Sequence, residues 1–210
     1  MQQYSMMNTH TLRLCLGLCL MFLGAAVQAI EEPSYTVVKQ YGTFEVRTYA
    51  PYVVAEVLVP GPEQEAGNQG FRLLAAYIFG GNVSQQTMAM TAPVTQVAQS
   101  EKIAMTAPVT QQAEAEGFLV QFKMPSAYTL ATLPKPLDER VRLREVAPAT
   151  YAVIRFSGMW TDANYQRHLS ALQKGMSDNG LSPLGPPIYA RYNAPFTPWF
   201  LRRNEIWVPV

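Results

Sequence analysis

The chain holds only 2 cysteines and 2 histidines, and both shortages narrow what it can do. Cys15 and Cys19 lie in an apolar run near the start, so everything after residue 29 is free of thiols. That excludes a disulfide framework, a zinc–thiolate site and a cysteine nucleophile there. His10 belongs to the same leading stretch, which leaves His168 as the sole imidazole beyond it. A Ser–His–acid triad would have to use His168, and no Gly-x-Ser-x-Gly turn is present. An excess of one charge is missing too, with 16 basic against 15 acidic side chains and no basic run. Such a balance gives no electrostatic footprint for nucleic acid.

Long hydrophobic runs are equally scarce. Leu14 to Ala26 is apolar but shorter than the roughly 20 residues of a membrane span. It follows Arg13 and ends in Val27-Gln28-Ala29, so residues 1–29 are expected to be a secretory signal peptide cleaved after Ala29. Leu18 is too large for lipoprotein cleavage before Cys19, and an uncleaved anchor is the alternative reading. After cleavage no membrane span remains, and residues 30–210 are expected to form one exported domain, periplasmic or secreted. Loss of Arg13 leaves basic and acidic side chains equal in number, and roughly 180 residues suffice for a real core.

What is present is a tandem repeat. Met88 to Gln96 returns as Ile103 to Gln111, with identical residues from Ala89 and from Ala104 onward. The copies are too short for a solenoid. They read as hairpin arms or successive strands, and the proline in each predicts a sheet edge or bulge. Soft methionines there suit the lining of a groove.

Runs rich in Val, Tyr and Phe predict strands at 35–41, 43–49 and 52–59, and later at 118–124, 141–146, 150–156, 188–192 and 205–208. One helix ends at Phe79 before Gly80-Gly81-Asn82; a second runs from Asp162 to Asn179, with Tyr165, Leu169, Leu172 and Met176 as its buried stripe. Strands–helix–strands occurs twice, which predicts a single α+β domain with a pseudo-twofold arrangement.

The first helix is apolar beyond one stripe. Phe71, Leu74, Ala75 and Ile78 suit a core, Leu73 and Tyr77 flank them on one side, and Ala76 and Phe79 on the other. Either a loop packs over this second face, or it lines an apolar groove with Arg72 at the rim. The loop 192–205 shows Phe196, Trp199 and Phe200 between two prolines, followed by Arg202 and Arg203. It clamps a flat ligand with arginines for its carboxylates, or it tucks its rings into the core with an arginine bound to Glu205.

These segments together resemble the SOUL, or heme-binding protein, family. The resemblance rests on Tyr49-Ala50-Pro51-Tyr52-Val53-Val54-Ala55, Tyr77-Ile78-Phe79-Gly80-Gly81-Asn82, the Ala-Met-Thr-Ala-Pro-Val-Thr segment and Tyr192 through Trp207, with Met124-Pro125-Ser126 and Phe156-Ser157-Gly158. The doubled repeat is similar to the exported bacterial branch. The resemblance implies a distorted antiparallel β-barrel or sheet flanked by two helices, built from two similar halves. It further implies non-covalent binding of heme or protoporphyrin by Arg72, Ala75, Ala76, Phe79, Phe196, Trp199, Phe200 and Arg202. Some relatives carry Met along the first helix where Arg72 and Ala76 stand here. His168 lies away from this groove and Met88, Met90 and Met105 offer only thioethers, so no iron ligand from the protein is expected. The competing readings are a carrier or sensor of another flat apolar molecule, a hydrolase using carboxylates such as Glu45, Glu56 or Glu145, and a partner-binding protein. The leading reading is a small planar ligand, no nucleic acid and no catalysis.

Overall fold

The computed structural model describes residues 30–85 and 99–210. β1 (Tyr35–Gln40), β2 (Glu45–Tyr49) and β3 (Tyr52–Val59) open it, filled by the β-branched and aromatic residues that suit a pleated surface. Helix α1 (Glu63–Ile78) starts behind Pro62, whose fixed φ leads into the first turn, and Glu63 and Glu65 face the positive end of the helix dipole. It stops at Phe79, after which Gly80 takes φ +115° as a left-handed terminator requires. Then come β4 (Asn82–Val83), β5 (Val109–Glu114), β6 (Gly117–Lys123), β7 (Lys135–Pro136), β8 (Arg142–Val146) and β9 (Ala149–Phe156). Helix α2 (Asp162–Asp178) is capped by Thr161, whose hydroxyl accepts from the Asn164 amide, and β10 (Ile188–Arg191) and β11 (Asn204–Pro209) end the chain.

Nine strands form one antiparallel sheet in the order β1-β2-β9-β11-β10-β5-β6-β3-β8, while β4 and β7 pair separately. Apart from β1, the order is symmetric. Exchanging β2 with β8, β3 with β9, β6 with β11 and β5 with β10 reverses the list onto itself. The two halves are therefore β2-β3-α1-β5-β6 and β8-β9-α2-β10-β11, each lending its first strand to the other's edge. The axis passes between β5 and β10, where Tyr189 pairs with Gln111 and Arg191 with Val109. This is the duplicated α+β arrangement expected from the element order.

Both helices lie on one face. α2 buries Tyr165, Leu169, Leu172 and Met176 against Ala152, Ile154, Phe156 and Ile206, the stripe expected from its spacing. α1 departs from expectation, because its buried line is Ala66, Gly67, Gly70, Leu74, Tyr77 and Ile78. Phe71 is only partly buried and Ala75 half-exposed. The glycines explain the shift: a Cβ on Gly70 would stand 2.6 Å from Val120 Cγ2, and one on Gly67 2.6 Å from Gln111 Oε1. The helix thus approaches the sheet along its glycines, which turns Ala75 toward the side.

The second copy of the repeat departs from the sheet edge or bulge expected of it. Residues 103–108 are irregular, and Val109-Thr110-Gln111 begins β5, an interior strand between β10 and β6. Pro108 stands just before the strand, where its missing N–H interrupts no ladder, so the edge assignment is corrected. The hairpin partner of β5 is β6. The first copy, with Met88 and Met90, lies outside the described residues.

The opposite face of the sheet carries an aromatic cluster of Tyr49, Tyr151, Tyr192 and Trp207. Glu205, fully buried among them, accepts from Arg47 (3.0 Å), Tyr192 (2.8 Å) and Trp207 (2.8 Å) on Oε2 and from Arg203 (3.0 Å) on Oε1. Residues 30–34 strap across this face. Glu31 pairs with Lys123 and takes the Ser126 amide, Ala107 donates to the Glu31 carbonyl, and Glu32 pairs with Arg203.

Candidate functional site on the helical face

The candidate groove lies between α1 and the loop that joins β10 to β11, across strands β5 and β10 of the helical face. Gly67 of α1 leans on Gln111 of β5, whereas Gly70 leans on Val120 of β6. At 100° per residue that phase turns Phe71, Ala75 and Phe79 toward β5 and β10, and puts Arg72 near the rim. Tyr77 turns the other way, where its hydroxyl donates to the Pro134 carbonyl (2.9 Å), so residues 125–138 cover that flank. A loop therefore packs over that side of α1. Ala76 is exposed on the outer surface of the helix.

The register fixes the level of each wall. Phe71 packs edge-on to Phe122 (5.3 Å), Phe122 pairs with Val109, and Val109 pairs with Arg191. The chain leaves β10 immediately after Arg191; Tyr192 turns to the opposite face, and the loop beyond it stands at the level of the second half of α1. Two strand spacings, β6 to β5 to β10, set a width of roughly 10 Å. The floor is Val109, Gln111, Tyr189 and Arg191.

The far wall is held rigidly. Arg202 donates to the carbonyls of Thr197 (2.7 Å) and Pro195 (2.6 Å) and lies 4.3 Å over the ring of Trp160. The Asn193 side chain accepts from the Arg203 amide (2.6 Å), Gly158 donates to the Trp199 carbonyl (2.9 Å), and a 3-10 turn spans Trp199–Leu201. These bonds leave the rings outside: Phe196 is 90% exposed, Trp199 56% and Phe200 60%, with Phe79 at 58% across the way. Arg203 instead binds Glu205 and Glu32. Of the two arginines, then, one fastens the loop to itself and the other fastens its base to the sheet.

Sequence reasoning missed Arg191 and Trp160. Arg191 stacks 4.5 Å over the Tyr189 ring and 5.7 Å from the Trp160 ring, its Nη1 donates to Gln111 Oε1 (3.2 Å), and among the described residues it forms no salt bridge. Arg191 Nε and Tyr189 Oη are both buried without a hydrogen-bond partner among the described residues. Burial raises the Tyr189 hydroxyl above the ordinary phenol range, although the Arg191 cation opposes it. The alternation of Ile188-Tyr189-Ala190-Arg191 was the available signal, since it puts Tyr189 and Arg191 on one face. His168, on α2, stacks on Phe156 (4.1 Å) and its Nδ1 lies 2.7 Å from the Asn164 carbonyl. Among the described residues no cluster of three His, Cys, Asp or Glu is placed to hold a metal, and no helix is long and apolar enough to cross a membrane. A hollow of about 550 Å³ lies apart from these residues, by Glu56, Leu58, Glu114, Leu119 and Arg142, and Glu56 there is bound by Arg144 and Gln121.

A curled antiparallel sheet, two helices on one face and an apolar groove between them define an α+β half-barrel domain. Residues 30–209 match the SOUL heme-binding protein family, and the chain belongs to it. It is similar to heme-binding protein 2 of Homo sapiens, 27% identical over 191 residues and 88% of each chain. Heme-binding protein 1 of Xenopus laevis is 28% identical over 173 residues, 78% of this chain and 82% of that one. Among solved structures, an EcmrR–DNA complex has a TM-score of 0.51 at 9% identity, over 78% of this chain and 55% of that one. That likeness concerns the fold alone.

Proposed function

We propose that the groove binds heme or another tetrapyrrole without covalent attachment, and that the chain carries, buffers or scavenges it outside the cytoplasm. The observation that carries this reading is Arg191, a cation on the floor of the groove that bonds the neutral Gln111 side chain and has no anionic partner among the described residues. A buried guanidinium nitrogen and a buried hydroxyl left unbonded call for a ligand that supplies acceptors. Carboxylates at the edge of a planar macrocycle do so, pairing with Arg191 within and with Arg72 at the rim. The flat faces meet Trp199, Phe196 and Phe200 on one side and Ala75 and Phe79 on the other. Because the loop is already fixed by Arg202, little ordering entropy is lost on binding. The names of the curated relatives agree with this choice of ligand.

Iron is not the handle. His168 is engaged on α2 with Phe156 and Asn164, and no other imidazole follows residue 29. Recognition of shape without ligation also admits other flat apolar anions, which mass spectrometry of ligand co-purified from the native host distinguishes from tetrapyrrole. Catalysis is not proposed: Glu45 and Glu56, strand carboxylates suited to acid–base work, are bound to Arg47 and Arg144. Export follows from the leading segment, and mass spectrometry of the protein from its host should show a chain that begins at Ile30.

The test is a hemin titration of residues 30–210 and of Arg191→Ala. The parent should saturate at one equivalent, and the variant should bind about tenfold more weakly, the loss of roughly 1.4 kcal/mol from a charge-assisted contact. Equal affinity of the two proteins removes Arg191, and with it the proposed groove.

A further inference from the structure

The tip of the loop shows more apolar surface than a ligand clamp uses. Leu201 is 65% exposed and Met159 52%, and the Gly158–Trp199 bond joins their segments beside Phe196 and Phe200. Contiguous exposed apolar side chains on a rigid loop mark a contact surface. The charges around that tip are mainly positive, with Asp162 as the exposed exception. Arg155 at the end of β9 and Arg167 on α2 are exposed, and neither has an ion-pair partner among the described residues. Arg167 donates to Asn164, whose amide in turn holds the carbonyls of Ser157 and Met159. Of the carboxylates nearby, Glu205 is buried between Arg47 and Arg203 and Glu32 pairs with Arg203, while Asp162 accepts only from the neutral Gln166 amide and keeps its charge against those of Arg155, Arg167 and Arg202.

We propose that this tip docks on an anionic lipid bilayer. Phe196, Phe200, Leu201 and Met159 enter the acyl boundary, Trp199 rests at headgroup depth, and Arg155 and Arg167 meet lipid phosphates. Exposed apolar side chains with net positive charge on either side, Arg155 on the face opposite the helices and Arg167 on α2, fit a fluid surface, which needs no complementary pocket. The mouth of the groove then opens at the membrane, where flat apolar molecules accumulate. The contact does not depend on which ligand the groove takes.

Co-sedimentation of residues 30–210 with phosphatidylcholine vesicles, with and without phosphatidylglycerol, tests it. Binding should rise with the anionic lipid and fall with salt. Leu201→Ser with Met159→Ser, and separately Arg155→Glu with Arg167→Glu, should each lower partitioning about tenfold or more. The same variants titrated with hemin in vesicle-free buffer should match the parent, so failure to bind lipid and failure to bind tetrapyrrole are read separately. No binding to either vesicle, equal binding to both, or full binding by either double variant overturns the proposal. Dimerisation of the parent that Leu201→Ser abolishes, without vesicle binding, assigns the tip to a second copy and also overturns it.

Discussion

Arg191, Arg202 and Arg203 show how one residue type serves three ends according to what surrounds it. Arg203 lies beside buried Glu205, Arg202 meets two carbonyls of its own loop, and Arg191 meets aromatic faces and the neutral Gln111 side-chain oxygen. The consequences of removal differ accordingly. Glu205→Ala strands Arg47 and Arg203 in a dry interior and should destabilise the fold by about 3–5 kcal/mol in denaturant unfolding. A loss near zero would mean that water reaches the cluster. His168→Ala removes only a stacked ring and one backbone contact on α2. Hemin affinity should stay within about twofold of the parent, about 0.4 kcal/mol, and collapse of the heme absorbance band would show that iron is ligated after all.

At the scale of elements, the glycine line of α1 sets the groove. Gly70→Ala should raise helix propensity by about 1 kcal/mol, yet its Cβ meets the Val120 side chain and forces the helix off the sheet. The net effect should be destabilisation of about 1–3 kcal/mol, read from the denaturant midpoint. Net stabilisation would show that α1 has room to move. Much at this scale was legible beforehand. Alternation marked β3 and β6, and four- and three-residue spacing marked α2, because each element satisfies its own local period. The loop aromatics were legible as candidates for the same reason that they are exposed, being large and held between prolines. The buried line of α1 was not legible, since small residues such as Gly67 and Gly70 carry no hydrophobic signal although they decide how close two layers come. Pro108 misled for a related reason: a proline cannot donate, but one step before a strand it has nothing to donate to. Arg191 was hidden in a strand of only 4 residues, too short for alternation to stand out.

Across the whole molecule, duplication explains why the site lies where it does. The pseudo-twofold passes between β5 and β10, both helices stand away from it, and the space between them is the groove. Strand exchange between the halves ties β2 to β9 and β8 to β3, pairings of such sequence separation that no local pattern announces them. The buried aromatics make this assembly sensitive to alkali. Burial pushes the hydroxyls of Tyr49, Tyr52, Tyr77 and Tyr192 well above the phenol range, and burial followed by Glu63 raises Tyr165 to about 12. Each holds its proton more tightly folded than unfolded. Their contribution is therefore complete below the ordinary value of about 10 and is lost as pH climbs from there through the folded values. Phenolate absorbance should lag behind that of free tyrosine until circular dichroism reports unfolding, after which the two rise together. At the acid end, Glu31 is held below its ordinary value, where the Lys123 and Ser126 hydrogen bonds outweigh burial. The N-terminal strap should thus loosen as pH falls through that lowered value, seen as faster amide exchange at Ala107.

The most direct test of the account compares hemin with metal-free protoporphyrin on residues 30–210. Groove recognition by stacked rings and unpaired arginines predicts saturable binding of both, with affinities within a few-fold. Binding of hemin alone would contradict it by making iron the handle, and binding of neither would leave the groove without a tetrapyrrole.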